Sequence, residues 1–282
     1  MLVERRGIVN QRFSLFSNLL GKARTVPDLK PASTHSKGEC LEQQSNYLRT
    51  KHEVLTNEQE LRLLLEHLYL EAKNAKERGT TPKFYNLLEY ISSSVTIQTA
   101  THNIKSNKGA NTPGTDGINI RMILQQPYDT VIESTIDNTI RHQPIPIRRE
   151  HIPKPGKKET RPLGIPASID KITQECVKII IEPILEAQFF DHSYGFRPMR
   201  DTHMAMERVT SLVHTTGYHW IVEGDIRNYF GTINHNKLLG QLWHLGIRDT
   251  RVLKIIKEML EAGVMDEMDT NTIGTQQGGV IL

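Results

Sequence analysis

Cysteine is nearly missing from this 282-residue chain. Cys40 and Cys176 are far apart and fit no metal-ligand or disulfide spacing, so a reducing interior is the simpler setting. Aromatic residues make up only 6%, and the apolar fraction of 37% is low for a length that could form one large domain or two ordinary ones. Part of the chain is therefore expected outside the core. No apolar run approaches the roughly 20 residues of a membrane span, which excludes a spanning helix in this sequence. Neither sign of charge dominates: the net charge is +3 and the pI about 8.7, which by itself selects no partner. There is no internal repeat, and no Gly-Lys-Ser/Thr of a nucleotide-binding Walker loop.

What is present is unevenly spread. Arg5, Arg6, Arg12, Lys22 and Arg24 face only Glu4 in the first 24 residues. Residues 1–55 read as a basic, disordered tail, with a transit peptide as the alternative. Pro27, Pro31 and Gly38 break its later part into linker. Thr56 with Gln59 predicts a capping box. Leu61, Leu64, Leu65, Leu68, Ala72 and Ala75 continue it as a helix that Gly79 stops. Thr81 and Pro82 predict the start of a second helix that buries Phe84, Leu87, Leu88 and Ile91. A third helix is expected to end near Ser106.

"NKGANTPGTDGI", residues 107–118, sets Gly109, Pro113, Gly114 and Gly117 in one short loop. It is either a plain connection or a place where backbones approach closely. Over residues 141–161 the composition turns basic. Arg141, Arg148, Arg149, Lys154, Lys157, Lys158 and Arg161 face only Glu150 and Glu159, an excess of five. Pro144, Pro146, Pro153, Pro155 and Pro162 exclude a helix there. "IPKPGKKETRPLGIP", 152–166, reads as a two-stranded ribbon with its tip at Gly156–Lys158, with Lys154 and Arg161 on opposite arms as polyanion contacts. From Ser168 a long apolar helix follows, expected to kink at Pro183. "HSYGFRPMR", 192–200, interleaves rings with guanidinium groups, a makeup shared by nucleotide-stacking platforms and by packed helix connections. A further helix carrying Ala205, Val209, Leu212 and Val213 leads to "HWIVEGDIRNYFGTINH". There the alternation predicts a strand that ends on Asp225, a carboxylate suited to a hard divalent cation.

Taken in order, "NKGANTPGTDGI", "IPKPGKKETRPLGIP", "SYGFRP", "DIRNYFGTINH" and "GTQQGG" resemble the successive blocks of reverse transcriptases encoded by group II introns, over about residues 57–282. The resemblance implies an α+β fold of the right-hand polymerase kind. Residues 56–218 would form fingers with a helical N-terminal extension and a basic β-ribbon, and 219–282 a partial, incomplete palm sheet. It implies RNA-directed DNA polymerisation with Mg²⁺, on template or intron RNA, with a DNA primer and dNTP. No membrane is involved, and a homodimer is admitted. Position by position, Asp225 resembles the first palm aspartate and metal ligand, and Ile226 falls where a carbonyl completes a metal shell. Phe230 falls where a ring excludes the ribose 2′-hydroxyl. Lys154 and Arg161 resemble the residues holding the triphosphate, and Gln277 the glutamine under the nucleotide. Arg148, Arg149, Lys157, Lys158 and Arg197 are candidate RNA contacts.

Two departures stand out. Gln276 replaces the proline usual before the glutamine, and no Tyr/Phe-Ala-Asp-Asp block, the source of the other metal-binding aspartates, occurs before Leu282. The expectation is therefore a polymerase fragment that does not polymerise alone. The alternatives are a catalytically dead, maturase-like intron-RNA-binding module, a retron-type reverse transcriptase, or a decayed reading frame. Its location would be the bacterial cytoplasm, or an organelle if the basic N-terminus is a transit peptide.

Overall fold

A 19-residue helix that buries 12 of its residues organises the molecule. In chain order, the computed structural model contains helices α1 (Glu58–Glu77), α2 (Leu87–Ile91), α3 (Ser94–Lys105), α4 (Ile120–Ile123) and α5 (Tyr128–Ile140). Strands β1 (Arg148–Pro153) and β2 (Thr160–Ile165) follow, then α6 (Ser168–Glu186), α7 (Thr202–Thr216), α8 (Tyr229–Thr232), α9 (His235–His244) and α10 (Thr250–Glu261). The structure describes residues 54–153, 156, 158, 160–218, 220–263, 274, 275 and 280. The expected tail lies outside these except for Val54 and Leu55, and Leu55 is already buried.

Helix α1 begins one residue later than the capping-box reading places it. Asn57 is the N-cap, accepting from the Glu60 amide at 2.9 Å, and Glu60 reaches back to the Thr56 amide at 2.8 Å. Leu61, Leu64, Leu68 and Ala72 form the buried stripe. Gly79, at φ +65°, then ends the helix, with Thr80 N–H donating to Ala75 O at 2.9 Å and Gly79 N–H to Lys76 O at 3.0 Å. Thr81 and Pro82 do not start the next helix. The chain stays extended so that Phe84 forms a parallel bridge with Ile247, and α2 starts only after Asn86. Phe84, Leu87, Leu88 and Ile91 are buried as expected.

The central helix is α6, buried on several sides because α1, α2, α3 and α5 pack against it. Val177, Ile180 and Ile184 are fully enclosed, each contributing about 1.5–3 kcal/mol by burial. The helix runs through Pro183 to Glu186. Most of its buried polar groups are paired. The Asp170 carboxylate accepts from the Asn138 amide at 3.1 Å and from the Ile145 backbone at 3.0 Å, and burial still raises its pKa. Glu175 accepts from Asn103 at 2.9 Å.

The only sheet among the described residues is the antiparallel β1–β2 ribbon, so the described residues are α+β with helix far outweighing strand. The palm strand expected before Asp225 is not formed: among residues 217–226 the described ones are neither helix nor strand and are exposed. Alternating residues supply only a side-chain pattern. A strand also needs a neighbour for its amides and carbonyls, and no described segment pairs with this one. Helix α7 just before it buries no residue, leaving Met204, Met206, Val209 and Val213 exposed.

Candidate nucleic-acid interface

The ribbon register pairs Arg148 with Ile165, Arg149 with Gly164, Ile152 with Arg161 and Pro153 with Thr160. Directly paired residues share a face, so Arg148, Glu150 and Arg161 lie on one side, and Arg149 and His151 on the other. Exposure rises from the base, where Ile165 is buried, to the open ends at Pro153 and Thr160. Arg148 contacts Glu150 at 3.4 Å, an exposed pair of little energetic weight. Arg161 and Lys158 are exposed beyond it. Lys154 and Lys157 lie outside the described residues.

Both arms of the ribbon are clamped at the base. On the entering arm, Thr115 Oγ1 donates to Pro146 O at 2.8 Å, the Ile145 amide to Asp170, and the Ile147 amide to Gly263 O at 2.8 Å. On the leaving arm, Ser168 Oγ donates to Ile118 O at 2.8 Å and Lys171 Nζ to Thr112 O at 3.1 Å. Burial lowers the Lys171 pKa, with the Asp116 charge acting the other way. Gly114 lies between: a Cβ on it would stand 2.6 Å from Ala167 Cα and 2.9 Å from Pro166 O. The glycine-rich loop is therefore the clasp that aims the ribbon. The signal for it was the Gly114-Thr115 pair, whose partners 31 to 53 residues away no local pattern names.

A second pair of blocks also meets. Asn228 takes φ +51° and starts the single turn α8. The Tyr229 and Phe230 rings pack edge to face at 5.4 Å. Thr275 N–H donates to Phe230 O and Gly274 N–H to Ile233 O, both at 2.7 Å, and a His235 ring nitrogen lies 2.6 Å from Gly274 O. A Cβ on Gly274 would press on Gly231 O at 3.2 Å. The start of "GTQQGG" thus sits on the backbone of the Phe230 turn, while Gln277 lies outside the described residues. Asp225 and Ile226 are exposed just upstream. One carboxylate and one carbonyl are hard oxygen donors of the kind Mg²⁺ takes. Among the described residues, however, no three His, Cys, Asp or Glu side chains are grouped to hold a metal, so these residues do not make up a two-metal site.

Arg197, a candidate RNA contact, is turned inward. Its Nε and Nη2 donate to Glu186 at distances down to 2.7 Å, and Nη1 donates to Phe190 O at 2.7 Å and Ser193 O at 2.8 Å. The Glu186 hydrogen bonds raise its pKa further, and only 5% of its side chain is accessible. The sequence pattern located a guanidinium among rings but not its inward direction.

No helix among the described residues is long and apolar enough to cross a membrane. Residues 152–281 match the family described as reverse transcriptase (RNA-dependent DNA polymerase). The chain is 36% identical over 212 residues to the group II intron-encoded protein LtrA of Lactococcus lactis subsp. cremoris, covering 74% of this chain and 34% of that protein. It is 36% identical over 222 residues to protein YkfC of Escherichia coli, covering 75% and 57%. To nuclear intron maturase 1, mitochondrial, of Arabidopsis thaliana it is 29% identical over 92 residues, 33% of this chain and 12% of that one. The chain thus spans between about a third and just over half of the first two. With residues 152–281 matching the reverse transcriptase family and about three quarters of the chain aligning with the group II intron-encoded protein LtrA, the chain belongs to the group II intron-encoded reverse transcriptase and maturase family.

Proposed function

We propose that this chain is the fingers and partial palm of a group II intron RNA-directed DNA polymerase, and that its ribbon binds template or intron RNA. The observation that carries the reading is the clasped basic ribbon. Arg148, Arg149 and Arg161 stand on two short strands whose base is fixed by bonds from three separate elements, and Lys154, Lys157 and Lys158 fall between the strands in sequence. A rigid, cationic projection suits a phosphate backbone, and Arg adds bidentate donors. In the same reading Lys154 and Arg161 also hold the triphosphate of a dNTP, Phe230 screens its sugar, Gln277 lies beneath it, and Asp225 with the Ile226 carbonyl supplies part of an Mg²⁺ shell. The described donors do not complete that shell, so extension of a DNA primer by this chain alone is not expected.

The test is a salt titration of RNA binding. Lys154→Ala with Arg161→Ala should weaken binding and lower the slope of log affinity against log salt by about 0.7 to 0.9 for each phosphate no longer neutralised. A double variant that titrates like the parent would remove the ribbon from the interface. The second reading, a maturase-like RNA-binding module without polymerase chemistry, draws on the same ribbon and on the exposed, uncompleted Asp225. Primer extension on an RNA template, present in the parent and abolished in Asp225→Asn, would rule it out.

A further inference from the structure

The loop between α6 and α7 contains a backbone outlier. Phe196 takes φ +55°, and Met199 takes φ +60° three residues later. A bulky residue in the left-handed region is uncommon and strained, and such strain persists only where the surroundings impose it. Here they do. Arg197 is anchored to Glu186 and to the carbonyls of Phe190 and Ser193, with its guanidinium 5.4 Å from the Phe189 ring centroid. Arg200 donates to Asp191 O at 2.6 Å and lies 5.7 Å from the Tyr194 ring centroid. Lys76 of α1 donates to Phe189 O at 3.0 Å.

A loop held this firmly would be expected to turn its rings inward. Instead the Phe196 ring stands wholly in solvent, and Phe190 is 70% exposed. Apolar burial therefore does not explain why phenylalanine occupies a strained position. The geometry points to Phe196 as a stacking platform for an unpaired base of single-stranded RNA, with Arg200, four residues on in the same loop, as the cation for a phosphate. Every base has a face that an aromatic ring can cover, and a backbone already fixed at Phe196 loses little freedom on binding. This inference rests on the RNA-binding reading above and adds a contact well separated in sequence from the ribbon.

The full chain is tested for binding to a short single-stranded oligoribonucleotide with a fluorescent aminopurine base. Phe196→Asn should weaken binding about tenfold, or about 1.4 kcal/mol, and remove the quenching that stacking produces. The salt slope should stay as in the parent, because a ring neutralises no phosphate. Phe196→Trp should retain affinity. Asn tolerates positive φ, so the Asn variant should melt at or above the parent temperature, which separates impaired binding from impaired folding. Parental affinity in Phe196→Asn, with binding still weakened by Lys154→Ala and Arg161→Ala, would overturn the platform and leave the ribbon standing. Parental affinity with a fall in self-association would overturn it too, and show a protein contact instead. Absence of RNA binding by the parent chain would overturn the RNA reading and this inference together.

Discussion

Replacing Gly114 by alanine adds one carbon atom at the base of the ribbon. That atom would lie 2.6 Å from Ala167 Cα and 2.9 Å from both Ala167 N and Pro166 O. Carbon pairs rest at about 3.5–4.0 Å, so the loop and the start of α6 must separate by roughly 1 Å. Everything in the way is backbone, so no side chain can swing aside. Overpacking of this kind costs about 1–3 kcal/mol. Alanine also narrows the unfolded ensemble, which returns about 0.4–1 kcal/mol. The net expectation is a loss of about 1–2 kcal/mol, or a melting temperature lower by about 2–8 °C. Gly109 in the same loop supplies the control: nothing lies within 4 Å of its added Cβ, and its φ is not positive. Gly109→Ala should leave the melt unchanged or slightly raised. Thermal unfolding followed by far-ultraviolet circular dichroism reads both. If Gly114→Ala melts within about 1 °C of the parent, the clasp is loose and the ribbon is aimed by something else.

Arg251 holds Glu89 at 2.9 and 2.8 Å and Asp249 at 3.0 and 2.9 Å, tying α10 to α2. Arg251→Met leaves the buried Asp249 carboxylate without its cation, held only by the backbone amides of Leu88 and residue 251. Breaking a buried pair costs about 3–5 kcal/mol, and the part-exposed guanidinium reduces this to about 1–3 kcal/mol, measurable by urea unfolding. The imidazole of His142 is buried, and burial lowers its pKa against the opposing influence of Glu258 and the Asn138 backbone. Its unfolded form takes up a proton first, so stability should fall as pH drops from 7.5 through about 6.5 and below, and His142→Asn should flatten that dependence. In a chimera whose palm is completed from a full-length relative, Phe230→Ala should admit ribonucleotides at least about tenfold better, about 1.4 kcal/mol, and an unchanged dNTP preference would free Phe230 of that role.

Where side chains repeat along one helix face, the sequence was readable. The Leu61–Leu68 stripe located α1 to within one residue at its cap, and the apolar run after Ser168 located the central helix. The proline-bounded basic stretch located the ribbon. Readings failed where a distant partner decides. Thr81-Pro82 has good local helix-start chemistry, but Phe84 exchanges backbone hydrogen bonds with Gly246 and Arg248 instead. The alternation in "HWIVEGDI" forms no strand without a paired neighbour. Arg197 has the makeup of a nucleic-acid contact, yet Glu186, 11 residues earlier, faces it and turns it inward. In the candidate site the motif order identified the family. The clasp, by contrast, depends on contacts from Gly114 and Thr115 to Ala167 and Pro146, which only the folded chain reveals.

The bond from the Leu88 amide to the Asp249 carboxylate spans 161 residues. On the ribosome that distance is time. At roughly 5–20 residues per second, α2 waits about 10–30 s for its cap to be made, and longer before that residue clears the exit tunnel. Until then α1, α3, α5 and α6 can gather, because their contacts lie within a shorter stretch of chain, but the buried end of α2 lacks its acceptor. The early helices should therefore form a loosely closed nucleus during synthesis, and α10 should be the piece that locks it.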